Sequence, residues 1–162
     1  MAQNVDASLW HPQPGPQDSG LHHLEKAWRD WAREDGLPFR PRFDPMAFPK
    51  LLQWMMLGEI VDRPNDTRPY DVLGRYLGRE IEHYFATANF TRRHLSEVGP
   101  VYAERWFGVI DQAIAARAPI CFHGSPYRTG FDFIRLEMLT LPFARSQHEV
   151  GYILFAMARE AH

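Results

Sequence analysis

Two apolar runs near the end of the chain dominate its pattern. Residues 131–142 read FDFIRLEMLTLP and residues 150–157 read VGYILFAM, joined by the polar link RSQH at 145–148. β-Branched and aromatic runs so spaced predict a long hairpin. Side chains alternate across a strand, so Ile134, Leu136 and Met138 share one face while Phe133, Arg135, Glu137 and Leu139 share the other. One face is dry and the other carries an opposite-charge pair. In the second run Val150, Tyr152 and Leu154 point one way and Ile153, Phe155 and Met157 the other. Apolar residues on both sides predict a strand covered on both faces.

The chain ahead of the hairpin supplies those covers. Residues 1–18 are polar, with Pro12, Pro14 and Pro16, and show neither helical period nor strand alternation, so a flexible N-terminal arm is expected. Asp18 or Ser19 caps a helix whose apolar positions Leu21, Leu24, Trp28 and Trp31 follow the i, i+3, i+7 rhythm, ending at Gly36 with Pro38 beyond. This aromatic stripe covers one sheet face or, alternatively, forms an interface with a second copy. A Pro-broken link with Arg40 and Arg42 leads to a short helix opened by Asp44-Pro45 and limited by Pro49.

Residues 51–62 predict a first strand, 63–67 a turn, and 69–75 a second strand ending at Gly74. Between residues 76 and 97 the apolar set Leu77, Ile81, Tyr84, Phe85, Phe90 and Leu95 predicts broken, short helices. Val101, Trp106, Val109, Ile110 and Ile114 then mark a longer helix ending near Ala118-Pro119, and residues 120–124 a third strand. Strands grouped at both ends with helices between them predict an α+β domain over residues 19–162. Its five-stranded antiparallel sheet would carry the middle helices on one face and the N-terminal helix on the other.

Composition narrows the functional classes. The 162 residues include five Trp, six Tyr and eleven Phe, enough for a core and a lined cavity. A net charge of −2 with interspersed signs offers no basic stripe, which argues against nucleic acid or an anionic membrane as partner. Cys121 is the single cysteine, so no disulfide framework exists; with no signal-like segment, a cytoplasmic location is expected.

Two strands, a helical middle and three strands is the chain order of a PAS domain. The stretch TRPYDVLGRYLGREIEHYF, residues 67–85, resembles the PAS-type family of small stand-alone alphaproteobacterial proteins. In that family a Tyr-Arg-Leu-x-Gly-like strand precedes a Gly-Arg-Glu-Leu-like turn. Arg42 before Asp44-Pro45, Leu51-Leu-x-Trp54 ahead of the first strand, and Leu139-Thr-Leu-Pro142 are similar to other pieces of the family, over residues 21–158. Asp71 departs from it, standing where a basic residue is common. The resemblance implies a non-enzymatic sensory or signalling module that binds a small molecule or a protein partner, with a ligand-free dimerisation or interaction module as the alternative, and a homodimer is expected. No effector segment follows within the chain.

Candidate sites follow from both lines. Tyr70, Tyr76, Tyr84, Phe85, Trp106, Phe122 and Tyr152 are expected to line or fill a cavity between the middle helices and the sheet, where PAS domains hold ligands. Arg135 and Glu137 pair with neighbours, link to the N-terminal helix, or aim into that pocket, where Arg135 would fork onto a carboxylate. No metal-ligand spacing is present, so no metal is expected. Haem would need His83 or His94 as axial ligand and is not expected. The flavin photoadduct of some PAS domains requires a helical Asn-Cys-Arg-like motif, whereas Cys121 falls on a predicted strand. An isomerase or dehydratase using Asp71 or Asp132 with Tyr70 or Tyr152 is the enzymatic alternative. Any signal would reach the N-terminal helix, through Trp28 and Trp31, as a ligand-driven population shift.

Overall fold

The computed structural model describes residues 10–34, 36–66, 68–85, 90–126, 130–131, 133–146 and 148–160. Its frame is one six-stranded antiparallel sheet of β1 (Trp10–Gln13), β2 (Met55–Val61), β3 (Asp71–Leu77), β4 (Ile120–Gly124), β5 (Leu136–Ala144) and β6 (Val150–Arg159). The spatial order is β1-β4-β5-β6-β2-β3. Helices α1 (Ser19–Trp31), α2 (Arg79–Phe85) and α3 (Pro100–Ala116) and short 3-10 turns complete the described fold.

Strands β5 and β6 lie in the middle because both of their faces are apolar. On one face Leu139, Leu141 and Phe143 stand opposite Ala156, Leu154 and Tyr152; on the other Met138, Thr140 and Pro142 stand opposite Met157, Phe155 and Ile153. The first face is covered by α1 and the segment after it, with Phe43 6.1 Å from Phe143. The second is covered by α3, whose Trp106 meets Phe155 edge to face at 5.2 Å.

Local chemistry shapes the helices as expected. The Asp18 carboxylate accepts from the Leu21 backbone N–H at 3.0 Å and caps α1. Pro100 opens α3, and Arg117 closes it in the left-handed conformation, donating from its N–H to the Ala113 carbonyl. The segment after α2 returns over the β3 edge: the Gly74 N–H donates to the Arg93 carbonyl and the Arg92 N–H to the Gly74 carbonyl. A Cβ on Gly74 would stand 2.2 Å from the Phe90 carbonyl oxygen, so only glycine allows this approach. Buried Asp71 ties the same strap down, accepting from the Ser96 N–H and hydroxyl.

Several expectations are corrected. The sheet has six strands, not five, because Trp10–Gln13, within the stretch read as an arm without strand character, pairs with β4 from Trp10↔Gly124 to Gln13↔Cys121. A four-residue strand containing Pro12 has no pattern of its own and is tolerated at a sheet edge. Its hold is tertiary, through Trp10, which stacks on Phe85 at 6.0 Å and lies 6.1 Å from Trp106. Residues 1–9 lie outside the described residues.

Element ends also differ. Pro49–Trp54 is a 3-10 turn, so the first long strand starts at Met55, and β3 runs past Gly74 to Leu77. α1 stops at Trp31, with Ala32 extended, well before Gly36. β5 starts at Leu136 rather than residue 131, where its partner β4 begins to pair through Gly124.

Candidate functional site

The residues proposed for a pocket fall in more than one place: Phe85 and Trp106 meet at 5.4 Å, while Tyr76 and Tyr152 lie on another groove. Phe85, Trp106 and Phe122 are buried between the middle helices and the sheet. Trp106 also helps bound a void of about 10 Å³ together with Met56, Phe90 and Ile110. That is about the least space that holds one water, so Trp106 and these neighbours fill their part of the interior. Tyr84 stacks on Trp54 at 5.6 Å. Tyr70 is half-buried at the margin of the core, edge-on to Phe107 at 5.7 Å, with its hydroxyl donating to Asp111 while Arg68 lies 4.5 Å above the same Phe107 ring. Burial, with the hydrogen bond to Asp111 next, raises the Tyr70 phenol above its ordinary range and keeps it a hydrogen-bond donor.

Arg135 and Glu137 separate. Arg135 is exposed ahead of β5 and donates to the Ser125 hydroxyl at 3.3 Å. Glu137 is 3 % exposed and provides the expected link to the N-terminal helix. Its carboxylate accepts from Gln13 Nε2 at 2.6 Å, the Gln17 N–H at 2.7 Å and the Asp18 N–H at 2.8 Å. Leu21, Leu24 and Trp28 are buried under α1, and Trp31 packs on Phe43 and Phe48, so the proposed interface stripe covers its own sheet.

Of the enzymatic pair candidates, Asp71 is engaged by Ser96, Tyr70 by Asp111, and Asp132 lies outside the described residues. His83 is exposed beside Tyr84 and Phe131, and His94 pairs with Glu97 at 3.0 Å. Among the described residues no group of three or more His, Cys, Asp or Glu is arranged to hold a metal.

Cys121 is buried, and burial pushes its thiol up to about 12, with the Glu137 carboxylate adding in the same direction. At pH 8 the folded chain therefore holds on the order of a thousandfold less thiolate than an ordinary cysteine. Alkylation by iodoacetamide at pH 8 is expected to be at least about 100-fold slower in buffer than in denaturant. Similar rates in the two solutions would contradict the buried placement.

A ligand-sized concavity lies on the opposite face of the sheet, beside α1. This open groove of about 520 Å³ is floored by Met55 and Leu57 of β2 and Leu154 of β6, with Tyr152 beside them. Its walls are Leu52, the link residues Arg40, Pro41, Phe43 and Pro45, and Arg75 and Tyr76 of β3. The volume falls within the roughly 300–1,000 Å³ of small-molecule clefts. The groove exists because α1 lies mainly over β5 and β6, so the β2–β3 end of that face has only the Pro-rich link above it.

A β-bulge sets its polar rim. Leu57 stands opposite Tyr76 but Gly58 stands opposite Gly74, so Arg75 is the extra residue, and Arg75 and Tyr76 both line the groove. Arg75 pairs with Glu59 at 2.5 Å, and Glu59 also takes Arg145 at 3.4 Å. The Tyr76 hydroxyl donates to the Leu52 carbonyl at 2.7 Å. Arg40 donates to the Phe43 carbonyl at 3.2 Å and lies 5.7 Å from the Phe43 ring; among the described residues it has no carboxylate partner. Of the expected pocket residues, Tyr76 and Tyr152 line this groove. Sequence reasoning missed Arg40, Phe43, Met55, Leu57, Arg75 and Leu154 as a group, although the paired arginines of the link were a usable signal.

The fold and this site define an α+β antiparallel-sheet protein with an apolar, arginine-rimmed groove. Comparison of the chain with protein-family models, with curated proteins and with solved structures gives no match. No helix among the described residues is long and apolar enough to cross a membrane.

Proposed function

We propose that the chain is a PAS-like sensory module that takes a small molecule in the groove beside α1 and acts by binding rather than by chemistry. The groove carries this reading: a concavity of about 520 Å³ with an apolar floor and few polar groups at its rim. The PAS-like part is supported by the strand order. Without β1, the sheet runs third, fourth, fifth, first, second in chain order, with α3 on one face and α1 on the other.

Phe43 couples the groove to α1. Its ring lines the groove and also lies 6.4 Å from Trp31 of α1 and 6.1 Å from Phe143 of β5. A ligand that favours one placement of Phe43 shifts the population of α1 positions by its differential affinity for the two states.

The test uses the intact chain with labelled Met and Leu methyl groups, titrated with a library of small organic molecules. Signals of Met55, Leu57 and Leu154 should move, while those of Met138 and Met157, on the far face of the sheet, stay in place. A library that moves none of the three would overturn ligand binding in the groove. Exposed Phe39, Met46 and Tyr76 beside the groove favour a second reading, in which this face docks a signalling partner or a second copy. Tyr76→Glu would then weaken association in sedimentation or pull-down measurements.

A further inference from the structure

We infer that the groove is built for an amphipathic monocarboxylate, an alkyl or aryl body ended by one carboxylate, with Arg40 as the group that takes the charge. This rests on the ligand-binding reading above and deepens it. Met55, Leu57 and Leu154 form an apolar floor that suits a hydrocarbon body. The two arginines at the rim differ in commitment. Arg75 is already paired with Glu59, which also takes Arg145. Arg40 presents a guanidinium with five N–H donors, of which the Phe43 carbonyl, at 3.2 Å, occupies one.

The surroundings set the charge of the ligand. A neutral ligand would cover part of Arg40 and leave its donors unpaired. A second carboxylate would have to compete with Glu59, which already engages both Arg75 and Arg145. A peptide adding as a strand is disfavoured because the near sheet edge, β3, is already bridged by Thr91 and His94. One anionic end at Arg40 and an uncharged body on the floor satisfy each of these groups.

Decanoate and 1-decanol distinguish the contributions. Each is titrated into the methyl-labelled wild-type chain and into Arg40→Gln and Arg40→Lys, with melting curves to verify that the variants fold. Decanoate is expected to move the Met55, Leu57 and Leu154 signals and to bind about tenfold or more weakly to Arg40→Gln. Arg40→Lys should recover part of the affinity, because it keeps the charge but not the fork. Decanol should bind weakly and change by less than about twofold between wild type and Arg40→Gln.

Equal binding of decanol and decanoate, insensitive to Arg40→Gln, would overturn the carboxylate assignment and leave the groove as an apolar ligand site. Decanoate shifting only Met138 and Met157 would overturn the siting. Silence of the groove methyls toward both probes would overturn this inference, while the broader library decides separately whether the groove binds ligands at all.

Discussion

Glu137→Ala is expected to lower stability by about 3 kcal/mol, at the lower end of what losing one partner of a buried charged network costs. For a chain of this length that corresponds to a fall of roughly 6–12 °C in Tm. Glu137 is the carboxylate through which β5 holds two elements that precede it by more than a hundred residues. Its oxygens accept from the side chain of Gln13 on β1 and from the backbone N–H groups of Gln17 and Asp18, where α1 begins. Alanine would leave the Gln17 and Asp18 N–H groups without their acceptor and take from Gln13 Nε2 its shortest bond, and an orphaned donor away from water costs more than an average hydrogen bond contributes.

The loss should be local before it is global. Hydrogen exchange at residues 10–13, 17 and 18 should accelerate well beyond that of β5 and β6. Trp10 should loosen from Phe85 and Trp106 and change the intrinsic fluorescence. Glu137→Gln keeps the volume but turns an amide NH2 toward donors, so a smaller loss in the same direction is expected. A variant that melts like the wild type with full protection of β1 would refute this role of the carboxylate.

Trp28→Ala is expected to cost about 3–5 kcal/mol, the range for removing a large aromatic from a core. Trp28 is 3 % exposed, and its indole Nε1 donates to the Pro142 carbonyl at 2.7 Å. That carbonyl lies beyond the end of β4, whose last pair is Ile120↔Thr140. From there the segment after α1 flanks β5, the Ala144 N–H donating to the Pro38 carbonyl at 2.8 Å. Trp28 therefore fills the space under α1 and satisfies a sheet carbonyl that no neighbouring strand reaches.

Trp28→Phe separates the two contributions. It keeps most of the apolar contact and removes the N–H, so the orphaned carbonyl should cost about 1–3 kcal/mol. Urea denaturation with far-UV circular dichroism measures both variants. If Trp28→Ala left unfolding unchanged but dissociated a dimer, Trp28 would belong to a seam between copies rather than to the cover of its own sheet.

The most legible parts of the chain were those governed by nearby residues. The stripe Leu21, Leu24 and Trp28 marked α1 and its buried face, and the helix starts one residue after Asp18, the capping acid. The polar link at 145–148 and the alternation of 150–157 marked β5 and β6 and predicted burial on both sides, which α1 and α3 supply. The first run was legible only in part: Glu137 and Leu139 share a face as the alternation requires, but that this face meets α1 follows from the fold alone.

The site was much less legible. Tyr152 and Leu154 were correctly put on one face, but assigning that face to the middle helices required knowing where each helix packs. Phe85, Trp106 and Phe122 on the helix side are buried in the core, and a run of Phe and Trp has the same pattern whether it lines a cavity or fills one.

What the chain's own pattern settles is the existence, the order and largely the faces of its main elements, because strand alternation and helix period are properties of adjacent residues. Folding in three dimensions settles the rest. The strand at Trp10–Gln13 exists because β4 offers an edge and Glu137 and the Phe85–Trp106 pair hold its two faces. Arg75 reaches the groove because a one-residue slip against β2 turns it there, and Arg40 stands over the same floor because a Pro-rich link crosses the end of the sheet that α1 leaves open. These meetings join residues well separated in the chain, from Gly58 and Gly74 across the slip to Gln13 and Glu137 across the domain, and no local periodicity encodes them.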